Sequence, residues 1–68
     1  MAGHYRIEKN RNRQESMDGA KPLEEVYSNS LREAKQTMKE FADNGQFYSA
    51  VFIKADGECI DECGVGAP

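Results

Sequence analysis

The stretch SLREAKQTMKEFADNG, residues 30–45, decides the fold. Its apolar side chains recur at intervals of three and four, which places them on one face of a helix. Ser30 and Glu33 have the spacing of a capping box at a helix start, and Gly45 can adopt the left-handed conformation that ends a helix. The pattern therefore predicts a helix over residues 30–43. Its buried face would comprise Leu31, Ala34, Met38, Phe41 and Ala42.

Two strands are predicted after this helix. Residues 46–54 are rich in aromatic and β-branched side chains, which favours a strand. Asp56-Gly57 is a pair favoured in two-residue type I′ hairpin turns, because both central positions of that turn need a positive φ. A short strand over residues 58–62 would return from the turn, and residues 64–68 would form a frayed tail.

The segment before the helix is less regular. In residues 4–8, Tyr5 and Ile7 alternate with polar side chains, which indicates a strand. Residues 9–22 contain few apolar side chains and many turn-forming ones, which predicts a polar loop. Residues 23–27 fit either a second strand or an extension of the helix towards the N-terminus, and the strand is preferred because Ser30 must lie outside the helix to cap it.

These elements predict one α+β domain over residues 1–68, in which a small antiparallel sheet packs on one helix. The order is ββαββ, or βαββ if residues 23–27 are helical. A domain of 68 residues buries only about 60% of the surface that its unfolded chain exposes, so we expect a partner or a second copy, as in a homodimer, to add stability. The strands would cover the helix with Tyr5, Ile7, Val26, Val51, Ile53 and Ile60.

Composition excludes several classes of protein. Twelve acidic residues against nine Lys and Arg give a net charge of −3, which repels nucleic acid at long range. No apolar run approaches the roughly 20 residues that span a bilayer, and the first residues lack the apolar region of a secretory signal. We therefore expect a cytoplasmic protein that does not enter membranes.

Cysteine and histidine are weak candidates for a metal or redox site. Cys59 and Cys63 are separated by three residues, whereas redox and zinc motifs usually have two between them. In an extended strand their sulfurs would share one side about 13 Å apart, too far for a disulfide. His4 is the only histidine and is interpreted as an exposed residue near the chain start. No cofactor, metal ion or catalytic residue is predicted.

The leading functional hypothesis is a non-enzymatic protein–protein interaction module of the regulator or inhibitor type. Alternation along residues 46–53 places Tyr48 and Phe52 on the sheet face that the helix cannot cover. A partner, a second copy or the 9–22 segment would then cover these rings. The acidic hairpin would orient a protein partner electrostatically; its carboxylates are Asp56, Glu58, Asp61 and Glu62.

The alternative hypothesis is a nucleic-acid-binding protein with a basic N-terminal arm. The arm contains Arg6, Lys9, Arg11 and Arg13, whose side chains suit contacts with phosphate. No aromatic residue lies between residues 6 and 26 to stack on a base. A protein partner is therefore preferred to nucleic acid.

Overall fold

A computed structural model of the chain describes residues 3–66 and confirms the α+β fold with its ββαββ order of main elements. The four strands form one antiparallel sheet in which β1 and β3 are central and β2 and β4 are the edges. The elements are β1 (Tyr5–Asn10), α1 (Arg13–Met17), β2 (Glu24–Ser28), α2 (Leu31–Ala42), β3 (Tyr48–Ile53) and β4 (Cys59–Cys63).

Helix α2 matches the predicted helix closely, but its caps differ in detail. The Oγ of Ser30 accepts a hydrogen bond from the backbone N–H of Glu33 at 3.3 Å. The backbone N–H of Ser30 donates instead to the Oγ of Ser28 at 3.1 Å, so the reciprocal half of the capping box is replaced by a residue of β2. At the other end the left-handed conformation begins at Asp43, with φ of 48°, two residues before Gly45.

The core lies between α2 and the two central strands. Ile7 of β1 and Val51 of β3 are fully buried beneath Ala34 and Met38 of α2. A ring of partly buried side chains surrounds this cluster and consists of Tyr5, Phe41, Ile60 and Cys63.

Two residues expected in the core lie at its margin instead. Val26 is 38% exposed and Leu31 is 37% exposed. Val26 belongs to β2, an edge strand, and Leu31 is the first residue of α2, so each has core neighbours on one side only.

Residues 9–22 are not a single loop, contrary to the prediction. Strand β1 continues to Asn10, and α1 follows after one short bend. Asn12 caps α1, because its Oδ1 accepts a hydrogen bond from the N–H of Glu15 at 2.8 Å. The turn-forming residues that suggested a loop therefore serve partly as helix caps. Residues 23–27 are confirmed as a strand over Glu24–Ser28.

The hairpin between β3 and β4 is wider than the predicted two-residue turn. The N–H of Ile53 donates to the carbonyl of Glu58 at 2.8 Å, so residues 54–57 form a four-residue loop. Gly57 has a positive φ of 74° but Asp56 does not, which rules out type I′. The Oδ1 of Asp56 instead accepts the N–H of Glu58 at 2.9 Å, a side-chain bond that favours this wider geometry.

A β-bulge separates the two cysteines onto opposite faces of the sheet. The register between β3 and β4 shifts between Val51 and Phe52, which inserts one extra residue into β4. Cys59 then lies opposite Phe52, and Cys63 lies opposite Ser49 on the side of α2. The expectation that both sulfurs share one side is wrong, because a bulge breaks the period of two.

The tail predicted over residues 64–68 is ordered as far as the structure describes it. Gly66 forms a bridge with Asn12, and its N–H donates to the carbonyl of Gly45 at 3.1 Å. Residues 67–68 lie outside the described residues. The segment after β4 therefore ties the start of α1 to the end of α2.

Candidate functional site

The sheet face opposite α2, called the open face below, carries the predicted partner-binding rings. Tyr48, Ala50 and Phe52 of β3 point to it by alternation, beside alternate residues of β1. Helix α1 packs against β1 and β3. Ala50 is fully buried and Tyr48 is only 5% exposed. The stripe predicted to contact a partner is therefore largely covered by the chain itself.

The buried Tyr48 side chain is held by a hydrogen-bond network that reaches the surface. Its hydroxyl donates to the Oε1 of Glu62 at 2.7 Å, and the Nε of Arg13 in α1 donates to the same oxygen at 3.0 Å. Burial and the Glu62 hydrogen bond raise the pKa of Tyr48. The hydrogen bonds from Tyr48 and then Arg13 lower the pKa of Glu62. These residues, chosen from the sequence as contacts for a partner or nucleic acid, bind one another.

Phe52 is covered by a cation. The Arg6 guanidinium carbon lies 4.9 Å from the centre of the Phe52 ring, within the range of a cation–π interaction. The Nε of Arg6 also lies 2.8 Å from Glu8 Oε2, an ion pair rather than an aligned hydrogen bond. Burial raises the pKa of Glu8 despite the lowering effect of Arg6. Phe52 remains half-buried.

A depression of about 310 Å³ lies between α1 and strands β3 and β4. Cys59 lines this depression, and its Sγ lies 3.5 Å from the carbonyl oxygen of Asp61. Burial raises the pKa of the Cys59 thiol, which keeps it protonated at neutral pH. The residues lining the depression are Arg13, Ser16, Met17, Tyr48, Phe52, Cys59 and Glu62.

The two cysteines are not brought together by the fold. Both are free, and the bulge places them on opposite faces of the sheet. Within residues 3–66, no three side chains of the His, Cys, Asp or Glu type come together in a group that can hold a metal ion.

Three of the four hairpin acids make folding contacts. Asp56 accepts the backbone N–H of Glu58, and Asp61 accepts that of Glu62 at 2.9 Å. Glu62 binds Tyr48 and Arg13, as described above. Glu58 is exposed, and among residues 3–66 its carboxylate has no ion pair within 4.0 Å.

The four cations of the predicted basic arm are divided between faces and paired with carboxylates. Lys9 points to the side of α2, where its Nζ lies 4.0 Å from the centre of the Phe47 ring, whereas Arg6 points to the open face. The ion pairs are Arg6–Glu8 at 2.8 Å, Lys9–Glu24 at 3.5 Å, Arg11–Glu15 at 3.7 Å and Arg13–Glu62 at 3.0 Å. They do not make one continuous basic surface.

The two edges of the sheet differ in their protection. Edge strands expose unpaired backbone groups that can bind another chain, and bulges or side-chain bonds block such pairing. On β4 the bulge interrupts the ladder, and the Oδ1 of Asp61 accepts the N–H of Glu62. Strand β2 pairs with β1 in an unbroken register from Tyr5–Ser28 to Lys9–Glu24.

The β2 edge also bears most of the exposed large apolar side chains. Among residues 3–66, four lie on β2 or within three residues of it in sequence: Leu23 (58% exposed), Val26 (38%), Tyr27 (44%) and Leu31 (37%), the last at the start of α2. Val26 lies on the side of α2 and Tyr27 on the open face, so both faces of this edge carry exposed apolar side chains, as an edge that receives another strand does. Sequence reasoning missed it, because the order of strands that makes β2 an edge is a tertiary property.

No family model matches the chain, and neither a curated protein nor a solved structure matches it. Within residues 3–66, no helix is long and apolar enough to cross a membrane. The β2 edge and the exposed part of the acidic hairpin are candidate binding surfaces within residues 3–66.

The Tyr48–Glu62 hydrogen bond makes stability depend on pH. Because the folded state lowers the pKa of Glu62, the ionised carboxylate stabilises the fold at neutral pH, and this contribution is lost as the pH falls through the folded-state pKa. We expect Tyr48→Phe to reduce the free energy of unfolding at pH 7 by about 1 kcal/mol and to flatten its decline in acid.

Urea denaturation between pH 3 and 7, followed by circular dichroism, measures this effect. Tyr5→Phe is the matched control, because Tyr5 packs at the margin of the core and, within residues 3–66, its hydroxyl makes no hydrogen bond. If the free energy of unfolding of Tyr48→Phe falls between pH 7 and pH 3 as steeply as that of the unsubstituted protein, the Tyr48–Glu62 bond is not the source of the pH dependence.

Proposed function

We propose that this protein is a non-enzymatic protein–protein interaction module that binds a partner strand along the edge of β2. The observation that carries the proposal is the coincidence of an unblocked strand edge with exposed apolar side chains. Val26, Tyr27 and Leu23 are the principal residues of this surface.

Strand addition fits the chemistry of this edge. Main-chain hydrogen bonds to an added strand supply affinity, and alternate side chains supply specificity. Over its five residues, β2 offers a template about 17 Å long, with Val26 on the side of α2 and Tyr27 on the open face. The blocked edge of β4 directs this binding to β2.

The acidic hairpin is the second surface that supports an interaction role. Glu58 and Asp56 are exposed at its tip, and β4 is at the opposite edge of the sheet from β2. Unpaired carboxylates there attract basic groups at long range and accelerate encounter. A regulator or inhibitor would use this attraction to bring basic groups to the hairpin, at the edge of the sheet opposite the strand contact at β2.

Nucleic-acid binding is less well supported than protein binding. The cations proposed for it are paired with carboxylates and distributed over both faces, and the chain carries a net charge of −3. Phosphate contacts would have to displace these pairs before releasing counterions.

Photo-crosslinking tests the proposed function. A benzophenone amino acid in place of Tyr27, on the β2 edge, is expected to form protein adducts in source cells, read by mass spectrometry. Met17, which is 65% exposed but lies on α1, is the matched control position. Adducts at Tyr27 no more abundant than those at Met17 would overturn the proposal.

A further inference from the structure

We propose that the strand added at the β2 edge belongs to a second copy of this chain, paired antiparallel about a twofold axis at Val26. This inference rests on the proposed function and names its partner. The result is a continuous sheet of eight strands, four from each copy, with both β2 strands at its centre.

Charge and shape along β2 are self-complementary in this register. With Val26 opposite Val26 of the second copy, each Glu25 faces a Tyr27 and each Glu24 faces a Ser28. Each Glu25 carboxylate therefore lies across from the Tyr27 hydroxyl, which can donate to it, and each Glu24 lies across from the uncharged Ser28 rather than from another carboxylate. The Tyr27 hydroxyl donates to Glu25 Oε1 at 3.2 Å within one copy, and in the dimer its one hydrogen can go instead to the Glu25 carboxylate across the axis.

The neighbouring registers are worse. Moving the twofold axis by one residue along β2 changes the pairing register by two residues, so both α2 helices stay on the same face of the sheet. An axis at Glu25 places two Glu25 carboxylates directly opposite each other, which is destabilising. An axis at Tyr27 pairs only residues 26–28 within the two β2 strands. Charge therefore disfavours the axis at Glu25, and the smaller number of paired residues disfavours the axis at Tyr27, which leaves the Val26 register.

Ion pairs within each copy reduce the repulsion between two acidic edges. Glu24 Oε2 lies 3.5 Å from Lys9 Nζ, and Glu25 Oε2 lies 3.9 Å from Arg6 Nε. Both cations come from β1, the strand directly behind β2. The cations therefore partly neutralise the Glu24 and Glu25 carboxylates that a second copy would approach.

Apolar burial and closure support a dimer specifically. Val26 is 38% exposed and Leu31 is 37% exposed. Because both α2 helices lie on the same face of the dimer sheet, the Val26 and Leu31 side chains of the two copies can pack together there and be buried from water. The outer edges of the eight-stranded sheet are the two β4 strands, which the bulge and the Asp61 bond block. Assembly therefore stops at two copies.

Cysteine cross-linking reads the register directly. In a Cys59→Ser, Cys63→Ala background checked for folding by circular dichroism, Val26→Cys places two sulfurs on the axis. The Cα atoms of a directly opposed antiparallel pair lie about 4.5–5.5 Å apart, within the disulfide range. Glu25→Cys places its two Cα atoms about 8 Å apart across the diagonal, too far for an unstrained disulfide.

We expect Val26→Cys to form disulfide-linked dimers at least about tenfold faster than Glu25→Cys or Val65→Cys under the same mild oxidant. Val65 is 79% exposed and lies away from β2, so Val65→Cys measures the rate at which copies that collide at random form a disulfide. Sedimentation equilibrium of the chain with its native cysteines should show dimers that Val26→Lys weakens at least about tenfold, because it opposes two cations.

Each other outcome overturns the inference. Fastest cross-linking at Glu25→Cys shows a different register. A monomer at every concentration, with Val26→Cys no faster than Val65→Cys, excludes self-pairing at β2. If Tyr27 then still cross-links to a different protein, the proposed function stands while this inference fails; if Tyr27 gives no adduct, both fail.

Discussion

Gly64→Ala is expected to lower the free energy of unfolding by about 2–5 kcal/mol and leave much of the protein unfolded. Gly64 has φ of 86°, and an added Cβ would overlap the carbonyl oxygen of Phe47 and approach the Cβ of Ala42 at 3.1 Å. The Phe47 oxygen is a backbone atom, so the chain after β4 must move away from the end of α2. A domain this small has stability near the low end of the usual range of about 5–15 kcal/mol.

Gly57→Ala is the control that separates overlap from backbone strain. Gly57 has a similar φ of 74°, but an added Cβ there meets nothing within 4 Å. Its cost is therefore the strain of a left-handed alanine alone, about 1–2 kcal/mol. Urea denaturation followed by circular dichroism compares the two. Equal losses in both variants would show that the contact with Phe47 is not restrictive.

Ile7→Ala is expected to cost about 2–5 kcal/mol, because it leaves a cavity at the centre of the core. Ile7 is fully buried on the central strand β1, with Val51 directly across from it on β3. Few other apolar residues are fully buried in residues 3–66, so the surrounding chain has little means to compensate.

Val65→Ala is the matched control for Ile7→Ala. It also shortens a β-branched aliphatic side chain, but Val65 is 79% exposed, so its effect should stay within about 0.5 kcal/mol. Thermal and urea unfolding both report the difference. A loss for Ile7→Ala no larger than that for Val65→Ala would contradict the position of the core.

The open face shows why apolar side chains on a second sheet face need not indicate a binding surface. Phe52 and Tyr48 are covered by Arg6 and by α1. Three of the charged residues that suggested nucleic-acid or protein binding, Arg6, Arg13 and Glu62, make their contacts on this face. The β2 edge, where Val26 and Tyr27 are exposed, is therefore the better candidate for a partner surface.

Much of the fold was predictable from local patterns. The apolar period of residues 30–43 and the Ser30 cap define α2, and the alternation around Ile7 and Val51 correctly identifies their shared core face. These features depend on side chains a few residues apart, so the sequence shows them directly. The helix α1 escaped detection because it is only five residues long and buries none of its side chains fully, which leaves no period to read.

The sequence by itself determined that this is a small acidic α+β domain with one amphipathic helix. Only the tertiary structure decided which strand lies at the edge, where the bulge separates Cys59 from Cys63, and that Arg6 and Glu62 bind the rings of β3. The physical reason is the distance along the chain between the residues that interact. Helix periods and caps arise between neighbours in the chain, whereas strand order, register and ion pairing join residues far apart in sequence, as with Arg13 and Glu62.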